Sequence, residues 1–176
     1  MARRWILTAL GKDRPGIVAG VTKLLFALGG NLEDSAMTRL EGEFAMMVIF
    51  SAPPRVTDAR LAQRVEQLAK RTRLLCHVKP LTKAETTTST GGSLHRLSVY
   101  GADHPGIVYK VSALLARLGV NIIDLSTHRA KTLYLMILEV ECPPRLRASI
   151  LHAKLRHLAK QIGVEITLQS AETDIL

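Results

Sequence analysis

The stretch GKDRPGIVAGVTKLLFALGGNLED, residues 11–34, returns as GADHPGIVYKVSALLARLGVNIID, residues 101–124. At that constant offset the two copies align without a gap from Gly11/Gly101 to Arg55/Arg145, and 18 of the 45 positions are identical. The register persists downstream, where Leu61, Leu68 and Ala69 meet Leu151, Leu158 and Ala159. Agreement of this extent means duplication, so each half is expected to be a complete folding unit. The division is 1–82 for the first unit and 94–176 for the second. The Thr/Gly/Ser-rich KAETTTSTGGS at 83–93 has no apolar periodicity and reads as a flexible linker.

Each unit reads as strand, helix, strand, strand, helix, strand. Residues 4–10 and 94–100 are short β-rich runs. Pro15-Gly16 and Pro105-Gly106 are expected to open helices, with Pro where its missing N–H costs nothing. Apolar residues follow at helical spacing: Ile17, Val21, Leu24, Leu25 and Leu28, with Ile107, Val111, Leu114, Leu115 and Leu118 in the second copy. Gly29 and Gly119 are expected to end those helices as C′ residues. Strands near 31–40 and 43–51, then 121–130 and 133–141, lead to Pro53-Pro54 and Pro143-Pro144. Helices near 57–72 and 146–162 follow, and alternating Leu74, Cys76, Val78 and Val164, Ile166, Leu168 mark the last strands.

This βαββαβ order predicts an α+β fold: two tandem ferredoxin-like units, each a four-stranded antiparallel sheet with two helices on one face. The third strand is apolar on both parities. Phe44, Met46, Val48 and Phe50 point one way and Ala45, Met47 and Ile49 the other; Tyr134, Met136, Leu138 and Val140 oppose Leu133, Leu135 and Ile137 in the second copy. Strands apolar on both sides want cover on both sides, so the sheets are expected to pack against another unit, within the chain or across a dimer, and a homodimer or higher is the expected assembly.

Hydrophobic residues are 47% of the chain, an ordinary globular share, and no apolar run is long enough for a membrane span. Nothing resembles a signal peptide, and Cys76 and Cys142 stand alone, so the expected setting is a reducing cytoplasm. Net charge is +9, which attracts polyanions. The Lys and Arg, however, sit mostly in the amphipathic segments 55–73 and 145–160, and aromatics are only 4%. That pattern suits a solvated helix face better than direct nucleic-acid binding.

The combination Asp-Arg/His-Pro-Gly-Ile-Val, a helix ending Leu-Gly-x-Asn and then Leu/Ile-x-Asp resembles the ACT domain, a βαββαβ regulatory module that senses amino acids. Two such modules filling nearly the whole chain resemble the glycine cleavage system transcriptional repressor family. The string DRPGIVAGVT is also similar to the regulatory segment of formyltetrahydrofolate deformylase, but there is no room here for that enzyme's catalytic domain.

The resemblance implies that ligand binds between paired modules, against the turn from strand one to helix one. A zwitterionic amino acid offers one cation and one anion. The N-terminus of helix one supplies N–H groups and partial positive charge for a carboxylate. Around it the candidates are Asp13, Pro15, Gly16, Asn31 and Asp34, with Asp103, Pro105, Gly106, Asn121 and Asp124 in the second copy. The Asp carboxylates can accept from an ammonium, the Asn side chains can donate and accept, and the glycines permit close approach. Each has a plainer reading: Asp and Asn favour turns and helix starts for local reasons, and the glycines suit close packing between helices.

Other chemistry tests poorly. The six histidines share no metal-ligand spacing, no nucleophile or phosphate-loop motif occurs, and no cofactor is implied. No catalysis is read here. The leading expectation is an amino-acid sensor, for glycine or a similarly small ligand, acting through a separate DNA-binding regulator. The alternative is an oligomerising subunit of a metabolic enzyme, with vestigial ligand sites.

Overall fold

The computed structural model describes residues 2–81 and 91–170; most of the expected linker lies outside them. The first unit runs β1 (Arg3–Lys12), α1 (Ile17–Ala27), β2 (Asn31–Leu40), β3 (Glu43–Ala52), α2 (Asp58–Thr72) and β4 (Leu75–Pro80). The second repeats it as β5 (Ser93–Ala102), α3 (Ile107–Arg117), β6 (Asn121–Ala130), β7 (Leu133–Cys142), α4 (Ala148–Ile162) and β8 (Val164–Ser170). Sheet order is β2-β3-β1-β4 in one unit and β6-β7-β5-β8 in the other, with antiparallel pairing throughout. The predicted α+β architecture is the observed one, and the first strands prove longer than their apolar runs.

Backbone chemistry sets the element ends. Gly29 and Gly119 adopt φ of 69° and 70°, one residue after the C-caps Leu28 and Leu118. Gly29 N–H donates to Phe26 O and Gly30 N–H to Leu25 O, both at 2.9 Å, which is the Schellman closure. The helix starts differ from expectation. Pro15 and Pro105 lie outside the helices, because Gly16 and Gly106 are the N-caps and take φ of 90° and 97°. A left-handed residue cannot continue into the helix from a helical Pro, so Pro-Gly forms a turn ahead of it. Glu41 and Gly42, with φ of 49° and 80°, form a two-residue hairpin turn with the primed geometry that suits strand twist.

In each unit the core is the layer between sheet and helices. Trp5, Leu7, Phe44, Val48 and Phe50 meet Ile17, Val21, Leu25, Leu61 and Val65. Leu97, Val99, Met136, Leu138 and Val140 meet Val111, Leu115, Leu151 and Leu155 in the second. Trp5 stacks on Phe50 with centroids 5.8 Å apart, donates from Nε1 to Asp58 Oδ1 at 3.1 Å and lies under the Arg3 guanidinium. His95 takes the corresponding position in β5, with Nδ1 3.2 Å from Ser93 O.

The other face of each sheet carries no helix of its own unit and is largely apolar. Ile6 opposes Ile49, Thr8 opposes Met47 and Leu10 opposes Leu75; Met47 is 50% and Leu75 75% exposed. The second unit presents Leu94, Tyr100 and Leu133 there, all exposed, and places the Arg96–Glu139 ion pair (3.2 Å) in the register of Ile6 and Ile49.

Candidate functional site

At the end of β1 the chain turns through Asp13, Arg14, Pro15 and Gly16 into α1. Asp13 N–H donates to Gly42 O at 2.9 Å, tying this corner to the β2–β3 hairpin. The hairpin brings Arg39, and its Nη1 lies 3.4 Å from Asp13 Oδ2. The second corner repeats both contacts: Asp103 N–H to Thr132 O at 2.9 Å, and Arg129 Nη1 to Asp103 Oδ2 at 3.5 Å. The arginines are about 70% exposed, at 70% and 72%, and the aspartates about a third, at 31% and 33%. Pairs this open contribute little to stability and remain free to exchange partners.

Neither Asp caps the adjacent helix. α1 and α3 have no side-chain cap and no acidic residue in the first turn. Their first-turn N–H groups and the positive end of the helix dipole therefore meet no side-chain acceptor of this chain among the described residues. Close packing does not explain the glycines: a Cβ on Gly16 would meet nothing within 4 Å, and on Gly106 only Lys110 Cε at 3.8 Å. They supply the left-handed turn and leave open space beside the helix start.

Asn31 and Asn121 begin β2 and β6. Within a unit they are not near the corner. Asn31 pairs with Ser51, which pairs with Arg4, whereas the corner follows Lys12, eight residues along β1. At about 3.3 Å per residue that is a separation of about 26 Å. Asp34 and Asp124 follow a bulge and share a face with Ile49 and Glu139. Asp34 accepts from Ser35 N at 2.8 Å and borders a hollow of about 130 Å³ on the open sheet face, walled by Ile6, Ala36, Met47 and Ile49.

Two features of the corner escape a reading of the motif. Arg39 and Arg129 are identical in both copies, and that identity is the signal which would have found them. Arg14 and His104 look like a divergence but share one task. Arg14 donates to the carbonyl of Thr72, and His104 Nε2 lies 2.8 Å from Ile162 O, so each satisfies a terminal carbonyl of the second helix. The corners differ elsewhere. Tyr134 stands where the first unit has Phe44; burial, then the Asp103 charge, push its phenol up, against a hydrogen bond with Thr127. Among the described residues no group of His, Cys, Asp or Glu could hold a metal ion.

The family model of the ACT domain matches residues 3–79 and again 97–169. The chain belongs to the ACT domain family. Its tandem ACT units are related to the UPF0237 protein of Streptococcus mutans, 41% identical over 61 residues, which are 35% of this chain and 69% of that one. The Escherichia coli glycine cleavage system transcriptional repressor is 44% identical over 46 residues, 26% of this chain and 24% of the repressor. Among solved structures, an unknown protein from Galdieria sulphuraria is 29% identical with a TM-score of 0.82, covering 98% of this chain and all (100%) of that one. A structure provisionally assigned as a glycine cleavage system transcriptional repressor is 21% identical with a TM-score of 0.69, over 98% of this chain and 99% of the other, a likeness of fold. The resemblances to the ACT domain and to the glycine cleavage system transcriptional repressor, expected from the sequence, are both found.

Proposed function

We propose that this ACT protein senses a small amino acid at its Asp-x-Pro-Gly corners and passes the signal to a protein partner. One observation carries the reading: the same exposed Asp–Arg pair stands at both corners, at 3.4 and 3.5 Å, beside a helix start with no side-chain cap. An amino acid presents an ammonium to Asp13 or Asp103. Its carboxylate goes to the arginine fork and the helix N–H groups. A ligand as small as glycine needs little more than this, and the open space beside Gly16 admits it.

The separation between the corner and Asn31 gives the reading a condition. Asp13 with Pro15 and Gly16, and Asn31 with Asp34, serve one ligand only when two units contribute, one its corner and another its β2 start. The same condition holds for Asp103, Pro105 and Gly106 with Asn121 and Asp124. The apolar sheet faces supply a reason for units to associate, as a homodimer or higher. Ligand then acts by favouring one association over another, to the extent of its differential affinity. The partner of this reading is a separate DNA-binding regulator, since every helix of both units already covers a sheet. Buried Cys142 and half-buried Cys76, both thiols pushed up by burial, suit a reducing cytoplasm.

Titration calorimetry of the purified protein with millimolar glycine, serine and alanine tests this. Saturable heat that is lost in D13N/D103N supports it. Silence across the panel, with a stable complex to a metabolic enzyme, favours the oligomerising-subunit reading that the exposed sheet faces also permit.

A further inference from the structure

The helix layer carries a second feature, apart from the corners and the sheet faces. Between α3 and α4 lies a groove of about 340 Å³, floored by Leu114, Leu118 and Leu158 and rimmed by Arg117, Lys154 and His157. Between α1 and α2 lies its counterpart, about 180 Å³, floored by Leu24, Leu28 and Leu68 and rimmed by Lys23, Arg64 and Arg71. No acidic side chain lines either groove. No ion pair among the described residues engages Lys23, Arg64, Arg71, Arg117 or Lys154.

The charge is concentrated rather than balanced. Together α3 and α4 hold Lys110, Arg117, Lys154, Arg156 and Lys160 and no Asp or Glu. In α1 and α2 the two acids are already engaged, Asp58 by Arg3 and Glu66 by Lys70. The two copies also place their groove cations differently. Lys23 corresponds to Ala113 and Arg71 to Gln161, while Ala27 corresponds to Arg117; Arg64 and Lys154 coincide. Individual cations have moved, yet both grooves remain cationic over leucine.

We propose that these interhelical grooves, the α3–α4 groove foremost, dock an acidic amphipathic helix of a partner protein. Apolar residues at i, i+3, i+4 and i+7 sit on the leucine floor, and flanking carboxylates meet the cationic rims. A nucleic-acid backbone would match the rims but leave the floor unused, and neither groove is lined by an aromatic residue on which a base could stack. The assignment rests on the partner half of the proposed function and not on amino-acid binding.

The probe is a fluorescein-labelled peptide with Leu at i, i+3, i+4 and i+7 and Glu at most other positions, read by anisotropy at physiological ionic strength. Its Leu→Ala analogue and a labelled DNA duplex are the controls. Saturable binding is expected, weakened at least about tenfold in R117E/K154E and likewise for the Leu→Ala peptide. Methyl NMR of the wild-type protein should show the peptide shifting Leu114, Leu118 and Leu158, a readout that needs no variant to fold. The proposal is overturned if the Leu→Ala peptide binds as well, if the duplex binds more tightly than the peptide, if folded R117E/K154E binds unchanged, or if those methyls stay still. Peptide binding without heat from amino acids would sink the sensing reading alone; heat without peptide binding would sink this one alone.

Discussion

Asp13 and Arg39 lie 26 residues apart in sequence and 3.4 Å apart in space, joined because the β2–β3 hairpin folds back beside the end of β1. The pair is exposed and held by one contact, so it contributes little to stability. D13N should change unfolding free energy by less than about 1 kcal/mol. It should weaken amino-acid binding at least about tenfold, by removing the charge opposite an ammonium. Urea denaturation and calorimetry on the same preparation check both; a large stability loss would show the pair to be structural.

Gly16 tests the backbone. With φ of 90° and free space where a Cβ would go, Gly16→Ala meets no clash and bears only conformational strain. The expected loss is about 1–2 kcal/mol, with G106A the same. A urea midpoint unchanged by G16A would mean that the turn relaxes at no cost.

Asp58 gives the molecule a pH dependence of known sign. Hydrogen bonds from Trp5 and then Arg3 hold its carboxyl below the usual carboxylate range. A depressed folded value means the group contributes stability above its unfolded pKa and loses it as pH falls through the folded value. The urea midpoint of the wild type should therefore drop more steeply below about pH 4 than that of D58N. Parallel profiles would remove Asp58 from the account.

The sole tryptophan lies in the first unit, which lets the two units be followed separately. Leu138 is fully buried in the second core, and Leu138→Ala should cost about 2–5 kcal/mol there. Far-UV circular dichroism should show part of the transition moving to lower urea while Trp5 fluorescence stays in place. Coincident shifts would mean that the units unfold as one.

Met47 probes the sheet face. A charge at this half-exposed position opposes burial against any neighbour, so M47D should shift sedimenting species toward the smaller form. An unchanged distribution would assign association to another surface.

The duplicated turn, helix and strand start were legible because they are local. Pro-Gly, Leu-Gly and alternating apolar runs specify backbone and face within a few residues. Arg39 and Tyr134 were not, because they reach the corner only through hairpin register. Arg14 and His104 differ in size, shape and charge but share N–H donors and the reach to a carbonyl, a task that the two aligned letters do not announce. The separation of Asn31 from the corner was equally hidden. Nearness along α1 and its turn says nothing about which end of a strand each residue occupies.

The bulge that redirects Asp34 recurs at Asp124, between the same positions of the matching strand. One inserted residue inverts the in-out alternation of the rest of its strand, so Glu33 and Ile123 set which side chains β2 and β6 turn to each face. An irregularity shared by both halves is a property of the repeated module rather than of either copy.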